Sequence, residues 1–257
     1  MADEPDYEAL FNGKPGTVLG AQRERAQADG LQSPQSTVKP TPEREKLVAA
    51  KERWAAEKRM PEAKARPWQK PSRASRIPPG QDETRDFPVL DLGHKPLVDA
   101  RDWRLSVAGA VERPINWDWR AFRAAPQTQV KCDIHCVTEW SRLDNVWEGV
   151  LGRTLLEVVR PRATARFLVF HGHDGYTTNL ALERFAADDA LLAHSWQGEA
   201  LAREHGGPVR AVVPSLYFWK SAKWVKHIAV LEHDVPGYWE TRGYHNEGDP
   251  WKQQRYR

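Results

Sequence analysis

Lys131-Cys132-Asp133-Ile134-His135-Cys136-Val137-Thr138-Glu139-Trp140-Ser141-Arg142 places both cysteines of a 257-residue chain, together with a histidine, inside residues 132–136. A thiolate is a soft metal ligand, and it becomes a nucleophile when a neighbouring base or a positive field lowers its pKa. A buried cysteine is equally at home as an inert small hydrophobe. A structural zinc site would need a second Cys/His cluster at finger-like spacing, and the sequence has none. His135 is a poor base for Cys136, because residues adjacent in sequence rarely point at one another in a strand or a helix. The stretch by itself leaves ligand and packing roles open.

A second group lies in the carboxyl-terminal half. His205-Gly206-Gly207-Pro208-Val209-Arg210 is followed by Ser215-Leu216-Tyr217-Phe218-Trp219-Lys220-Ser221-Ala222-Lys223-Trp224. Arginine offers a planar fork suited to phosphate, lysine adds a point charge, and a serine-containing turn can present backbone N–H groups. Taken singly, Arg210 could be a paired strand residue, Lys220 and Lys223 a solvated face, and Trp219 and Trp224 core. Their order after a lone cysteine pair is what joins them to it.

Together these segments resemble the sulfite-oxidase superfamily of molybdopterin-dependent oxidoreductases. Ile134-His135-Cys136-Val137-Thr138-Glu139-Trp140-Ser141 is similar to its cysteine loop, and His-Gly-x-Pro-x-Arg with Lys-Ser-x-Lys-Trp is similar to its molybdopterin-binding signature. Gly237-Tyr238-Trp239-Glu240 and the residues to Trp251 look like the end of such domains, so the resemblance covers about residues 87–251. It implies a molybdenum–molybdopterin cofactor with Cys136 as the only protein sulfur on the metal, His205 and Arg210 on the cofactor, and Ser221, Ala222 and Lys223 at its phosphate end. His135, beside the cysteine, and His173, in a polar loop after a buried strand, join the cofactor contacts by position. Arg142 and Tyr176 join Cys136 as catalytic candidates, with Arg166, and Asn179 in the loop after the 167–170 run, also candidates to touch a substrate.

The implied reaction is a two-electron oxygen-atom transfer to or from a small sulfur oxyanion or a sulfoxide. The alternative direction is reduction of sulfoxides or N-oxides, and the alternative class is a non-catalytic module of the same fold. Electrons would be exchanged with an external donor or acceptor, since no haem, iron–sulfur, flavin or nicotinamide motif is present. The sequence departs from the methionine-sulfoxide-reductase branch at Thr138, where that branch typically has glutamate, and in lacking its amino-terminal asparagine motif. Cys132 is read as a packing residue, with redox pairing to Cys136 as the minor alternative.

Composition divides the chain. Residues 1–80 carry a net charge of +4 and the remainder −1, within a total of +3, too little for a nucleic-acid binder. Thr41-Pro42-Glu43 is a helix start, and the Ala/Glu/Lys/Arg run after it predicts a helix over about 41–60 with a narrow stripe of Leu47, Val48, Trp54 and Ala55. A Pro/Arg-rich connector follows, in which Lys58, Arg59, Lys64, Arg66, Lys70, Arg73 and Arg76 face only Glu62. It reads as a solvated linker, or as a basic arm for an acidic partner. The expected division is therefore a polar arm over 1–80 and a molybdopterin-binding domain over 81–257.

The amino terminus is acidic and without an apolar export region, and no apolar run approaches bilayer length, which together predict a cytoplasmic protein without a membrane span. Two cysteines at i, i+4 fit a reducing compartment. The expected assembly beyond the monomer is a homodimer.

Along the domain, alternation predicts a strand at 103–107, and continuous apolar or β-branched runs predict strands at 167–170, 209–214 and 227–231. Short helices are expected at 117–124, 154–159 and 182–192, and turns at 144–149. Strands and short helices without regular alternation indicate an α+β fold with a mixed sheet.

Overall fold

The structure, a computed structural model, describes residues 45, 46, 48–50, 53 and 76–257. Of the expected arm helix the described positions are helical, and Val48 packs against the main core. The rest of that helix and of the basic connector, through residue 75, lies outside the described residues.

The chain runs through β1 (Asp82–Glu83), β2 (Arg104–Gly109), β3 (Ile115–Asp118), α1 (Trp119–Ala124), β4 (Thr128–His135), β5 (Trp140–Leu151) and α2 (Gly152–Val159). It continues through β6 (Phe167–Gly172), β7 (Thr177–Ala181), α3 (Leu182–Phe185), β8 (Leu191–Trp196), β9 (Glu199–Ala200), β10 (Arg210–Val212) and β11 (Val225–Leu231). Two sheets form. One is ordered β1-β5-β8-β10, with β4 added on β5 and β9 on β8; the other is β3-β2-β11-β6-β7. Each is mixed, through the parallel pairs β1–β5 and β2–β11. The α+β fold with mixed sheets and few short helices is as expected.

Period-two alternation sorts the first sheet between two apolar clusters. Val150, Leu192 and Ala211 enter the main core, while Trp147, Leu151, Leu191, Ala193 and Val212 enter a second cluster. Leu105, Val107, Leu168, Phe170, Ile228 and Val230 of the second sheet close the main core from the other side. Burying each such aliphatic side chain contributes about 1.5–3 kcal/mol. Trp103, fully buried, also donates its indole N–H to the Val225 carbonyl at 2.8 Å, so its polar atom is satisfied.

Two expected elements take a different form. The helix expected over 182–192 ends at Phe185, and Leu191 onward is strand β8, paired with both β5 and β10. Sheet pairing in the interior overrides a local helical composition. The turn expected at 144–149 is instead the middle of β5. Its turn-like residues serve irregularities of the strand: Asp144 has φ 57, and a side chain on Gly149 would fall 1.9 Å from the Leu192 carbonyl oxygen, so only glycine lets β8 approach.

Candidate active site

Most of the cysteine stretch is strand. Cys132 and Ile134 lie on the face of β4 that meets the second cluster, whereas Cys136, one residue past the strand, turns into the main core at 5% exposure. The reversal after it is tight: the Cys136 N–H donates to the Trp140 carbonyl (2.8 Å), the Glu139 N–H donates to the Cys136 carbonyl (3.1 Å), and Glu139 takes φ 69. The Thr138 hydroxyl donates to the Cys136 sulfur at 3.1 Å. Both cysteines are free thiols. Cys132 packs against the second cluster, as expected of a packing residue, and burial pushes its thiol pKa up, away from the reactive range.

The basic segment folds back on itself beside this hairpin. Gly206 has φ 105, and a side chain there would come within 2.9 Å of Lys223 Cβ, so glycine is needed for His205 to reach its place. Arg210 is 1% exposed. It donates to the carbonyls of His205 (2.8 Å) and Ser221 (2.9 Å), and its guanidinium lies 4.2 Å from the centre of the Phe218 ring. Among the described residues no carboxylate pairs with it, and burial lowers its pKa to about 9. The Ser221 hydroxyl accepts from the Val213 N–H (2.9 Å), and the Lys223 ammonium donates to the Glu204 carbonyl (2.6 Å). His205 stacks on Phe87 at 3.9 Å and 4°, with its Nδ1 buried and lacking a hydrogen-bond partner. Burial lowers its pKa to about 4, so the ring is neutral at pH 7.

Hairpin and basic segment open onto one partly open cleft. Cys136, Tyr176, Arg210, Ser221 and Lys223 line it, and Phe87, Leu92, Trp219, Trp239 and Tyr244 supply much of the apolar wall. A molybdopterin needs a thiolate at one point and cations for a phosphate at another, and this cleft offers both. The fit is carried by Arg210: a buried cation without a carboxylate is costly unless an anion joins it.

Apart from Tyr176, the other expected site residues lie elsewhere. Arg142, on β5, does not line the cleft: it spreads over the Trp196 ring (4.6 Å) and donates to Asn145 Oδ1 (2.6 Å) and the Arg85 carbonyl. His135 is buried against Ser141, its Nδ1 2.8 Å from Oγ, and burial lowers its pKa to about 4. Ala222 is buried and spends its carbonyl on the Ala211 N–H. His173 bonds the Trp224 carbonyl through its backbone, while its Nε2 is buried without a partner. Arg166 donates to the carbonyls of Ala163 and Ala165, and Asn179 is held by Asp234, Asn246 and Lys220. Tyr176 lines the cleft with its ring while its hydroxyl donates to the Trp219 carbonyl (2.7 Å).

Sequence reasoning did not single out Gln81, Phe87 or Leu92, which come from the connector and the start of the domain. Phe87 in a Pro-flanked segment carries no signal of its own; only the fold brings it onto His205.

A two-sheet fold with one thiol and one buried arginine, without a carboxylate partner among the described residues, on the same cleft fits an anionic cofactor held by a cysteine. Residues 92–239 match the family model described as the oxidoreductase molybdopterin binding domain, and the chain belongs to that family. It is a molybdopterin-dependent oxidoreductase, with the molybdenum cofactor as its prosthetic group. It is 46% identical over 184 residues to the uncharacterized oxidoreductase YuiH of Bacillus subtilis (strain 168), which covers 71% of this chain and 93% of YuiH. It is 29% identical over 155 residues to the protein-methionine-sulfoxide reductase catalytic subunit MsrP of Gluconobacter oxydans (strain 621H), covering 53% of this chain and 49% of that protein. Among solved structures, the sulfane dehydrogenase SoxCD from Paracoccus pantotrophus shares the fold, with a TM-score of 0.50 and 23% identity over 56% of this chain and 41% of that one. The chain thus spans nearly all of YuiH but about half of MsrP. No helix among the described residues is long and apolar enough to cross a membrane.

Proposed function

We propose that this protein reduces neutral sulfoxides by two-electron oxygen-atom transfer, with Cys136 as the protein's thiolate on molybdenum. The observation that carries the direction is the placing of charge. Sulfite is a dianion, and a site for it needs cations near the metal. Arg142 and Arg166 do not line the cleft, and burial keeps His135 neutral. The two cations that do line it, Arg210 and Lys223, belong to the segment read as the phosphate cradle, and the wall carries Val137, Trp140, Trp239 and Tyr244. A neutral, partly apolar substrate suits such a wall. The relationship to MsrP, a protein named for methionine-sulfoxide reduction, supports the same direction.

In this reading Arg210, Lys223, Ser221 and the neutral His205 hold the cofactor, and Thr138 and the surrounding hairpin fix the Cys136 sulfur. When bound, the cofactor would supply the two-electron oxygen-atom-transfer chemistry. The aromatic wall orients the substrate and excludes water, and reducing equivalents come from an external donor. A cytoplasmic setting accords with two free thiols.

The test is turnover of the molybdenum-loaded protein with methionine sulfoxide and a reduced viologen, against sulfite and ferricyanide. Leaving a dianion unpaired costs more than about 2.7 kcal/mol, so kcat/KM for the sulfoxide should exceed that for sulfite by at least about a hundredfold. Faster sulfite oxidation would overturn the assigned direction.

A further inference from the structure

The family match begins at residue 92, yet the segment before it reaches the cysteine directly. Residues 76–87 form a strap across the β4–β5 hairpin. Asp82 and Thr84 donate their N–H groups to the carbonyls of Glu139 and Ser141, both at 2.8 Å, and β1 pairs in parallel with the first residues of β5. Just before them, the Gln81 side chain is buried at 9% exposure. Its Nε2 donates to the Cys136 carbonyl (3.0 Å), and its Oε1 accepts from the Ser141 hydroxyl (3.2 Å). Because that hydroxyl proton goes to Gln81, the Ser141 oxygen is left to accept from His135 Nδ1–H at 2.8 Å, which fixes the tautomer of a neutral ring.

The strap is itself tied at both ends. Arg255, from the tail beyond the family match, donates to the Gly80 carbonyl (2.9 Å), and Gly80 has φ 68. Arg76 bonds both Asp133 oxygens (2.8 and 2.5 Å) and Asp144 (2.9 Å).

We propose that Gln81 is a positioning residue for Cys136, setting the direction of the thiolate through the cysteine's own carbonyl. With Cys136 N–H bonded to Trp140 and its carbonyl shared by Gln81 and Glu139, both peptide groups flanking the sulfur-bearing carbon are held. Loss of the Gln81 amide frees the carbonyl side and lets the sulfur swing. Outer partners of metal ligands commonly change affinity or activity by about 10–100-fold. The proposal rests on Cys136 being the metal's protein ligand.

The test uses the molybdenum-loaded full chain with Gln81→Leu and Gln81→Glu. The glutamate variant keeps the shape and the acceptor for Ser141 but loses the donor to Cys136, and it carries the test alone if Gln81→Leu does not fold. The expected result is a shifted Mo(V) electron paramagnetic resonance spectrum, with kcat for methionine sulfoxide lowered by about tenfold and KM within about twofold. In the cofactor-free chain, alkylation of Cys136 by iodoacetamide should be several-fold faster than in the unmodified protein. A spectrum and alkylation rate identical to the unmodified protein would overturn the proposal, even with a lowered Tm. Molybdenum X-ray absorption of Cys136→Ser separates the two claims: an unchanged sulfur count rejects the ligand itself, whereas a lowered count with unchanged Gln81 spectra rejects only the positioning role.

Discussion

Lys220 and Lys223 stand three residues apart in the same basic run, and the fold gives them different work. Lys220 is fully buried and ion-paired with the equally buried Glu240 at 2.7 Å, with further bonds to Asn179 Oδ1 and to the carbonyls of Asn179 and Asn246. Lys223 lines the cleft beside Arg210, whose guanidinium has only carbonyl partners. One region is a closed ionic anchor that fixes the carboxyl-terminal segment; the other is an open cationic cradle. Lys220, paired with its counter-ion, holds the fold, whereas Arg210, buried with no carboxylate beside it among the described residues, is available to an anionic ligand.

Breaking the anchor should give the largest effect on stability. Lys220→Met leaves Glu240 buried without its cation and should cost about 3–5 kcal/mol, read as a lower Tm and denaturant midpoint. Adding Glu240→Gln should recover part of it. If Lys220→Met were neutral, the distinction between anchor and cradle would fall.

Opening the cradle should act on loading instead. Arg210→Met removes an uncompensated charge but strands the carbonyls of His205 and Ser221, so these terms partly offset, and the net stability change should stay below that of Lys220→Met. Molybdenum and pterin content should nevertheless fall by more than about tenfold. Lys223→Met should weaken retention in the same direction by less, with stability within about 1 kcal/mol of the parent.

The smallest effect is pH-dependent and belongs to the second sheet. Burial lowers the pKa of His171 to about 4 and that of His227 well below its usual value, and their rings are 5.2 Å apart. The unfolded chain therefore takes up protons that the folded chain refuses between about pH 6.5 and pH 4. The stability contributed by the neutral rings is complete above that window and is lost as pH falls through it. Tm should drop on acidification, and His171→Gln should flatten the slope.

The cysteine stretch and the basic segment were legible because cysteine is scarce here and the two motifs fall in family order. The strands at 103–107, 167–170 and 227–231 were legible because their apolar runs face a buried interior. What sequence could not give was direction. Arg142 is six residues from Cys136, but the fold engages it with Trp196 and Asn145 instead of the cleft. Lys220 and Lys223 differ only in what the fold places opposite them, and Gln81 acts across 55 residues through a single amide. Asp144 and Gly149 read as turn residues because the features they serve, a bulge and a close strand crossing, exist only once β4 and β8 flank β5.

The most direct test of the account is molybdenum X-ray absorption on the loaded protein and on Cys136→Ser, with metal content measured in parallel. On the proposed reading the cradle holds the cofactor and the cysteine supplies a sulfur. The serine variant should therefore show one sulfur neighbour fewer on molybdenum and no sulfoxide turnover. An unchanged sulfur count, or turnover comparable to the parent, would contradict the assignment of Cys136 as the metal's ligand.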